Sequence, residues 1–497
     1  MTHAPWGRIW LDEEMAQRAD PDFAAEYIDK LPFKGFTDPM AVYQLLGRRE
    51  TGDAWLSEEP IIGRETELDR LTAAIAPIFA GRFAGVITLY GEAGIGKSRL
   101  LQELRRSLTG AGGDPANPAA AGAEDRPAET NGVKLSPPGP PEGEKSQIPP
   151  SGGLGGPESV PNVRPLPAEV SWFYCPADEI LRRPLNPFRY WLRHYFQQAD
   201  SHSEADNKAR FHHILNQLIE QVADTELQAD LDRFAAFLGA LIDLHWPDSP
   251  YEQSDPKLRF ENTLRAIKNL IKAEAGRRPV IIELEDAHWL DRQSLELVTL
   301  LTRNVERLPL AVICAARYGD DGSKLELPLD DDVRRQAIDL TYFNVADSQQ
   351  LAQEILEGQI SDHFGRFLVD KSRGNPFFIR QLILDLKERS ALIRRERGGQ
   401  AHYWLNSLRS EEVPADIRTI LISRLDRLPR PVKHVVQVAS VLGSEFEAPV
   451  LAKILPGDRQ LTQHLRYAET EQVWVGLNGS RYLFRHALLR DSAYSMQ

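Results

Sequence analysis

The chain reads as an α/β protein: a parallel sheet flanked by helices around a phosphate-binding loop (P-loop), followed by a helical segment and a terminal hairpin-and-helix unit. Three observations predict this. Val86–Tyr90 is a short apolar, β-prone run that leads into Gly91-Glu92-Ala93-Gly94-Ile95-Gly96-Lys97-Ser98, after which Leu100, Leu101, Leu104 and Leu108 recur at helical spacing. A second apolar run, Val280–Leu284, ends in the paired carboxylates Glu285 and Asp286. Strand-like and helix-like segments then alternate through Leu340, the pattern of a parallel sheet with crossover helices.

The glycine-rich segment has the spacing G-x-x-x-x-G-K-S between a strand and a helix. Gly91, Gly94 and Gly96 allow backbone angles and close approaches that a Cβ would forbid. The loop amides and the following helix N-terminus can then surround an anion. In this pattern Lys97 reaches the β- and γ-phosphates and the Ser98 hydroxyl ligates Mg²⁺. Residues Gly91 to Arg99, with Glu92, Ala93 and Ile95 contributing backbone, are therefore the candidate nucleotide cradle.

At 497 residues the chain has room for roughly three to four domains. With 42 % hydrophobic and 26 % charged residues it has the balance of an ordinary globular protein. A net charge of −13 argues against a general nucleic-acid coat and leaves open a local basic patch. Cys175 and Cys314 each lie in or beside an apolar run and read as reduced core residues rather than a disulfide or zinc site. No apolar run approaches the ~18 residues of a membrane span, and no basic-then-apolar leader opens the chain, so a cytoplasmic, membrane-free protein is expected.

Taken in order, Gly7–Leu11 is a candidate strand, Asp12–Arg18 a short helix, and Leu31–Leu45 a strand, turn and strand. Glu67–Phe79 has apolar residues at 68, 71, 75 and 78, one helical face. From Thr109 to Ala168 there is no aromatic residue, and more than a third of the prolines lie here among many glycines. Such a stretch cannot supply helix or central strand and reads as a disordered insertion, or as a proline-rich docking ligand. A tenfold longer loop costs only ~2 kcal/mol more in closure entropy. Val170–Cys175 is a buried-type strand and Asn186–Leu192 a proline-started helix. Glu204–Ala275 is largely helical, with Leu258, Leu264, Ile267 and Ile271 forming a stripe.

At the end of the Val280–Leu284 run, one acid can bind Mg²⁺ and its neighbour can orient the attacking water. Glu283 departs from the continuous apolar pattern of a doubly buried strand, so it either has a cationic partner or weakens the site. Leu310–Ala316 is a further strand that ends in Arg317, an arginine that at a strand end is often only solvated. Asp347–Lys387 is helical apart from Gly374-Asn375-Pro376-Phe377-Phe378. Two amphipathic helices follow, from Val413-Pro414 to Pro429 and over Val432–Leu442. Val473–Leu477 with Tyr482–Leu488 then gives a hairpin and helix, a winged-helix pattern.

Several of these segments together resemble the AAA-type ATPases of the signal-transduction (STAND) class. They are Ile61-Ile62-Gly63-Arg64-Glu65, the P-loop, Glu285-Asp286-Ala287-His288-Trp289-Leu290-Asp291, Gly374–Phe378 and Phe484-Arg485-His486-Ala487-Leu488. The resemblance covers residues 58–497 apart from the insertion. It implies a P-loop NTPase core over 58–345, a helical lid over 346–410 and a helical/winged-helix domain over 411–497. It also implies ATP/ADP and Mg²⁺ as ligands, with a slow ATPase that acts as a nucleotide-gated switch. The Gly63-Arg64 turn would lie beside the adenine, Pro376 would contact the base, and His486 would sit near the nucleotide. Glu285 would take the metal side and Asp286 the water-activating side, although the residues alone leave the two exchangeable. Lys97, Glu285, Asp286 and Arg317 would be the catalytic set, with Ser98, Glu285 and Asp286 the metal set. His288 would serve structure or nucleotide sensing. Other protein domains or subunits would be the partners.

Residues 1–57 resemble the C-terminal end of class III adenylate/guanylate cyclase domains, through Lys34-Gly35-Phe36-Thr37-Asp38-Pro39 and the following Val42-Tyr43. That resemblance implies a final hairpin without the catalytic aspartates, with Asp38 in the hairpin rather than at a metal. No cyclase activity is expected of this chain. A second reading is a DNA-binding regulator that uses the winged helix, supported only by Arg485 and Arg490.

Overall fold

The computed structural model describes residues 9–12, 15, 23–31, 40–48, 61–109, 170–179, 183–199, 202–319, 321–406, 416–477 and 480–497. The expected insertion Thr109–Ala168 therefore lies outside the described residues apart from Thr109, which ends the helix Lys97–Thr109. Asp38 and nearly all of the expected helix Asp12–Arg18 also lie outside them.

Near the N-terminus, β1 (Ile9–Asp12), β2 (Phe23–Leu31) and β3 (Met40–Arg48) form an antiparallel sheet in the order β1-β3-β2. The second strand of this sheet precedes Leu31 instead of starting there. Leu31 pairs with Met40, and the residues between these two strands lie outside the described residues.

The central sheet contains β4 (Gly85–Tyr90), β5 (Ser171–Pro176), β6 (Val280–Glu285), β7 (Leu310–Ala316) and β8 (Arg335–Asp339). All neighbours are parallel, in the order β5-β6-β7-β4-β8. The expected parallel α/β fold is thus what forms. β6 side chains alternate: Val280, Ile282 and Leu284 enter one core, while Ile281 enters the other. The first core is covered by helices Asn186–Tyr195, Glu204–Gln221, Thr225–Leu241, Pro256–Arg277 and Arg292–Leu301. The second is covered by Glu65–Ile75 and Lys97–Thr109. Leu100, Leu101 and Leu104 are fully buried there, each worth ~1.5–3 kcal/mol in transfer free energy. Truncating one to alanine should cost ~2–5 kcal/mol. In the stripe expected on Pro256–Arg277, Leu264, Ile267 and Ile271 are buried, but Leu258 is exposed, because it lies in the first turn beyond the packed layer.

Beyond the sheet, helices Val345–Leu356, Asp362–Ser372 and Pro376–Glu388 share a core with β9 (Gln359–Ile360), β10 (Leu392–Arg397) and β11 (Gln400–Leu405). These strands are not expected from the sequence pattern. A last core joins helices Ile417–Arg427, Arg430–Leu442, Ala448–Ile454, Leu461–Thr470 and Ala487–Ser495. It also takes in β12 (Glu445–Glu447), β13 (Trp474–Gly476) and β14 (Arg481–Phe484), which form a sheet ordered β12-β14-β13. The C-terminal hairpin and helix are where the sequence places them, with one extra strand. No helix among the described residues is long and apolar enough to cross a membrane.

Candidate phosphate site

β4 lies between β7 and β8, and the chain leaves its C-terminal end for β5 at the far edge of the sheet. Such a point of diverging connections opens a crevice above the carboxyl ends of the strands. Gly91–Ser98 occupies that crevice on the β4 side, and Glu285 and Asp286 occupy it at the end of β6.

Gly94 and Gly96 have φ of 78° and 104°, the left-handed region that favours glycine. Lys97 is buried at 6 % exposure, and its Nζ donates to the Gly91 and Glu92 carbonyls at 2.8 and 3.1 Å. Burial lowers its pKa against the pull of Glu285 and Asp286. The Ser98 hydroxyl donates to Glu285 Oε1 at 2.5 Å, so the two groups expected to share a metal already touch. Burial, then the neighbouring Asp286 and Glu283, raises Glu285 to about 8. Its Oε2 is buried without a hydrogen-bond partner. Asp286 takes a left-handed turn, φ 50°, that ends the strand and starts the short 3-10 turn Ala287–Trp289.

Arg317 leaves the end of β7, and its backbone N–H donates to His288 Nδ1 at 3.4 Å. Arg317 Nε and His288 Nε2 are also buried without partners. Burial lowers His288 to about 4, so the imidazole is neutral near pH 7. Three unpaired polar atoms therefore converge on one crevice, where buried polar groups normally find partners.

Glu283, at 4 % exposure, does not face the phosphate loop. Trp172 Nε1 donates to its Oε2 at 2.5 Å, and the Arg105 guanidinium lies 6.0 Å over the Trp172 ring. The break in the apolar strand is thus answered within the second core by an indole donor and a nearby cation. Arg64 is also largely internal. It donates to the Ile95 carbonyl of the loop at 3.1 Å, to Thr341 O at 2.6 Å and to Glu67 Oε1 at 3.1 Å. Its guanidinium lies 4.8 Å over the Phe343 ring. Arg64 therefore ties the phosphate loop to the connection after β8. Gly63, φ 59°, leaves room for Asp347, whose Cγ would lie 2.7 Å from a Cβ at that position.

Two groups that sequence reasoning leaves unassigned complete the loop's surroundings. Asn375 Nδ2 donates to Ala93 O at 2.8 Å, while its Oδ1 caps the Pro376–Glu388 helix through Phe378 N. The Phe377 N–H donates to Gly94 O at 3.2 Å. The Gly-Asn-Pro-Phe cap signal is visible in the sequence, but nothing local indicates that the same asparagine reaches 282 residues back. The Phe377 ring stacks on His486 at 3.8 Å, and His486 Nδ1 accepts from Leu488 N at 3.0 Å. Burial, then Arg317 and Lys97, lowers His486 to about 3. Pro376 opens the same helix at its first turn. Arg490 is buried at 5 % and pairs with Asp178, just after β5, at 2.7 Å.

Comparison with known proteins bears on this layout. A curated but uncharacterised protein of Rhizobium meliloti is 24 % identical over 98 % of this chain, which spans 40 % of that protein's length. Solved structures with some likeness include a STAND protein with a tetratricopeptide repeat sensor from Pyrococcus horikoshii. That match has 12 % identity, 88 % of this chain, 43 % of the other and a TM-score of 0.42. The Orc1 protein of Aeropyrum pernix in complex with DNA matches at 12 % identity over 88 % of this chain and 93 % of its own, with a TM-score of 0.32. Residues 60–130 and 177–313, which carry both the phosphate loop and the paired carboxylates, match the family model of the AAA ATPase domain.

Proposed function

We propose that the chain is an ATP-binding, slowly hydrolysing switch of the STAND type, in which the bound nucleotide controls how a lid and a winged helix pack on the ATPase core. The observation that carries this reading is the meeting of three segments at one loop. Asn375 and Phe377 of the lid bond to Ala93 and Gly94, and His486 of the winged helix stacks on Phe377. A phosphate entering the cradle changes the electrostatic setting of all three.

The residues fit MgATP. Lys97 can exchange two loop carbonyls for phosphate oxygens, which accept charge-assisted hydrogen bonds more strongly. Ser98 Oγ and Glu285 would hold Mg²⁺, and the unpaired Glu285 Oε2 is free for it or its water shell. A bound Mg²⁺ supplies Lewis-acid neutralisation of phosphate charge. Asp286, displaced from the strand by its left-handed turn, orients a water. Arg317, whose Nε lacks a partner, donates toward the terminal phosphate, and His288 steadies the start of that segment. Loss or gain of two or three charged hydrogen bonds, ~1.5–3 kcal/mol each, supplies the ~5.5 kcal/mol that a 1:99 to 99:1 switch needs.

The N-terminal strands fit a cyclase-domain remnant that carries no catalysis here. The nucleotide reading is tested by Lys97→Ala, which should abolish ATP binding measured by calorimetry while the chain still folds, with a melting temperature lowered by the loss of the donor to the Gly91 and Glu92 carbonyls. Retained affinity in the variant would refute the phosphate assignment.

A further inference from the structure

β10 and β11 form a hairpin around Gly398 and Gly399, both left-handed with φ of 59° and 79°, as a two-residue turn requires. Residues directly opposed across a pair share a face. Leu392, Tyr403 and Leu405 pack on the core beneath. The pairs Ile393↔Trp404, Arg395↔His402 and Arg397↔Gln400 consequently form the opposite, outward face. None of these six residues is a carboxylate. The strand's own acid, Glu396, lies on the other side and pairs with Arg394 at 3.2 Å.

The outward groups are arranged rather than scattered. The Arg395 guanidinium lies 5.9 Å over the Trp404 ring, and the His402 and Trp404 rings are near-parallel, 23° apart at 5.8 Å. Arg395, Arg397 and Gln400 are exposed, and Ile393 is 39 % exposed. A six-residue strand spans ~20 Å, enough for a few nucleotides. This acid-free face sits on a chain whose net charge is −13, so its cations stand out against the rest of the sequence.

We propose that this face binds single-stranded nucleic acid. Arg395 and Arg397 would neutralise neighbouring phosphates, and Trp404 with His402 would offer a platform on which bases stack, the two features that sequence-tolerant single-strand binders combine. An acidic peptide would satisfy the guanidiniums and leave the aromatic pair without a role. Neither Arg485 nor Arg490, the basic residues of the winged-helix reading, belongs to this face. Arg490 is buried against Asp178 and cannot reach a duplex while so paired.

The test is fluorescence anisotropy of a labelled oligothymidylate of roughly 20 nucleotides, longer than single-strand site sizes, titrated with the full chain. Saturable binding should weaken as salt rises. Arg395→Gln/Arg397→Gln should reduce the magnitude of the log–log salt slope by ~1.4, about 0.7 for each single-strand phosphate that is no longer neutralised. Trp404→Ala should weaken binding ~5- to 100-fold, and Trp404→Phe, which keeps a stacking ring, should retain most of it. Melting temperatures of all three variants monitor the fold. Absence of saturable binding would overturn the proposal, as would variants that bind like the parent with an unchanged slope. Equal or tighter binding to oligoglutamate or to phosphatidylserine vesicles would also overturn it.

Discussion

Acidification should loosen the C-terminal helix from the phosphate loop, and His486 should be the cause. In the docked arrangement its ring stacks on Phe377 with Lys97 and Arg317 nearby, and its pKa falls to about 3. Released to water, the same imidazole titrates near ~6.5. Above that value both states hold a neutral ring and pH has no effect through this group. Below it, the released state takes up a proton that the docked state refuses, so docking weakens as pH falls from about 6.5 toward about 3. At pH 5.0 the difference is about 1.5 units, or ~2 kcal/mol at ~1.36 kcal/mol per unit, a ~30-fold rise in the open population. Hydrogen exchange of the amides in Ala487–Ser495 reads that population directly. His486→Asn keeps a side-chain acceptor for Leu488 N and removes the titration. The parent should exchange progressively faster relative to the variant between pH 6.5 and 5, by ~30-fold at the lower end. Parallel profiles for the two proteins would refute the reasoning.

Two further outcomes follow from the site and the chain's layout. Asp286→Asn should keep MgATP bound and slow hydrolysis ~10²-fold or more, the scale of one lost positioned acid–base group; loss of Mg²⁺-dependent binding with residual chemistry intact would exchange the roles of Glu285 and Asp286. Replacing residues 110–168 by a short Gly/Ser linker should leave ATP affinity unchanged and the melting temperature equal or slightly higher, because closure entropy falls; a collapse in stability would show that the segment packs on the core.

The phosphate loop and the carboxylate strand are legible in the sequence because their chemistry restricts residue choice along a few consecutive positions. Left-handed backbone at Gly94 and Gly96 favours glycine, and strands buried on both faces demand apolar runs. Partnerships distant in sequence are not legible. Nothing beside Glu283 announces Trp172, 111 residues away, and nothing beside Arg64 announces Thr341, 277 residues away. The family resemblance puts the Gly63-Arg64 turn beside adenine, and nothing beside Arg64 announces that its guanidinium also bonds Ile95 O of the phosphate loop. The β10–β11 hairpin escapes the sequence reading although Gly398-Gly399 is a turn signal. The arginine-rich strand before it has no clean polar–apolar alternation, because both its faces carry charge.

The decisive question is whether nucleotide state moves the helices Pro376–Glu388 and Ala487–Ser495. Hydrogen exchange of the full chain should be compared with Mg²⁺ and ADP against Mg²⁺ and a non-hydrolysable ATP analogue, with Lys97→Ala as the binding-dead control. Both nucleotides should protect Gly91–Ser98 in the parent and neither in the variant. The triphosphate should change protection of Pro376–Glu388 and Ala487–Ser495 relative to the diphosphate, in the parent alone. Identical protection of those two helices with either nucleotide, despite a protected loop, would contradict the switch.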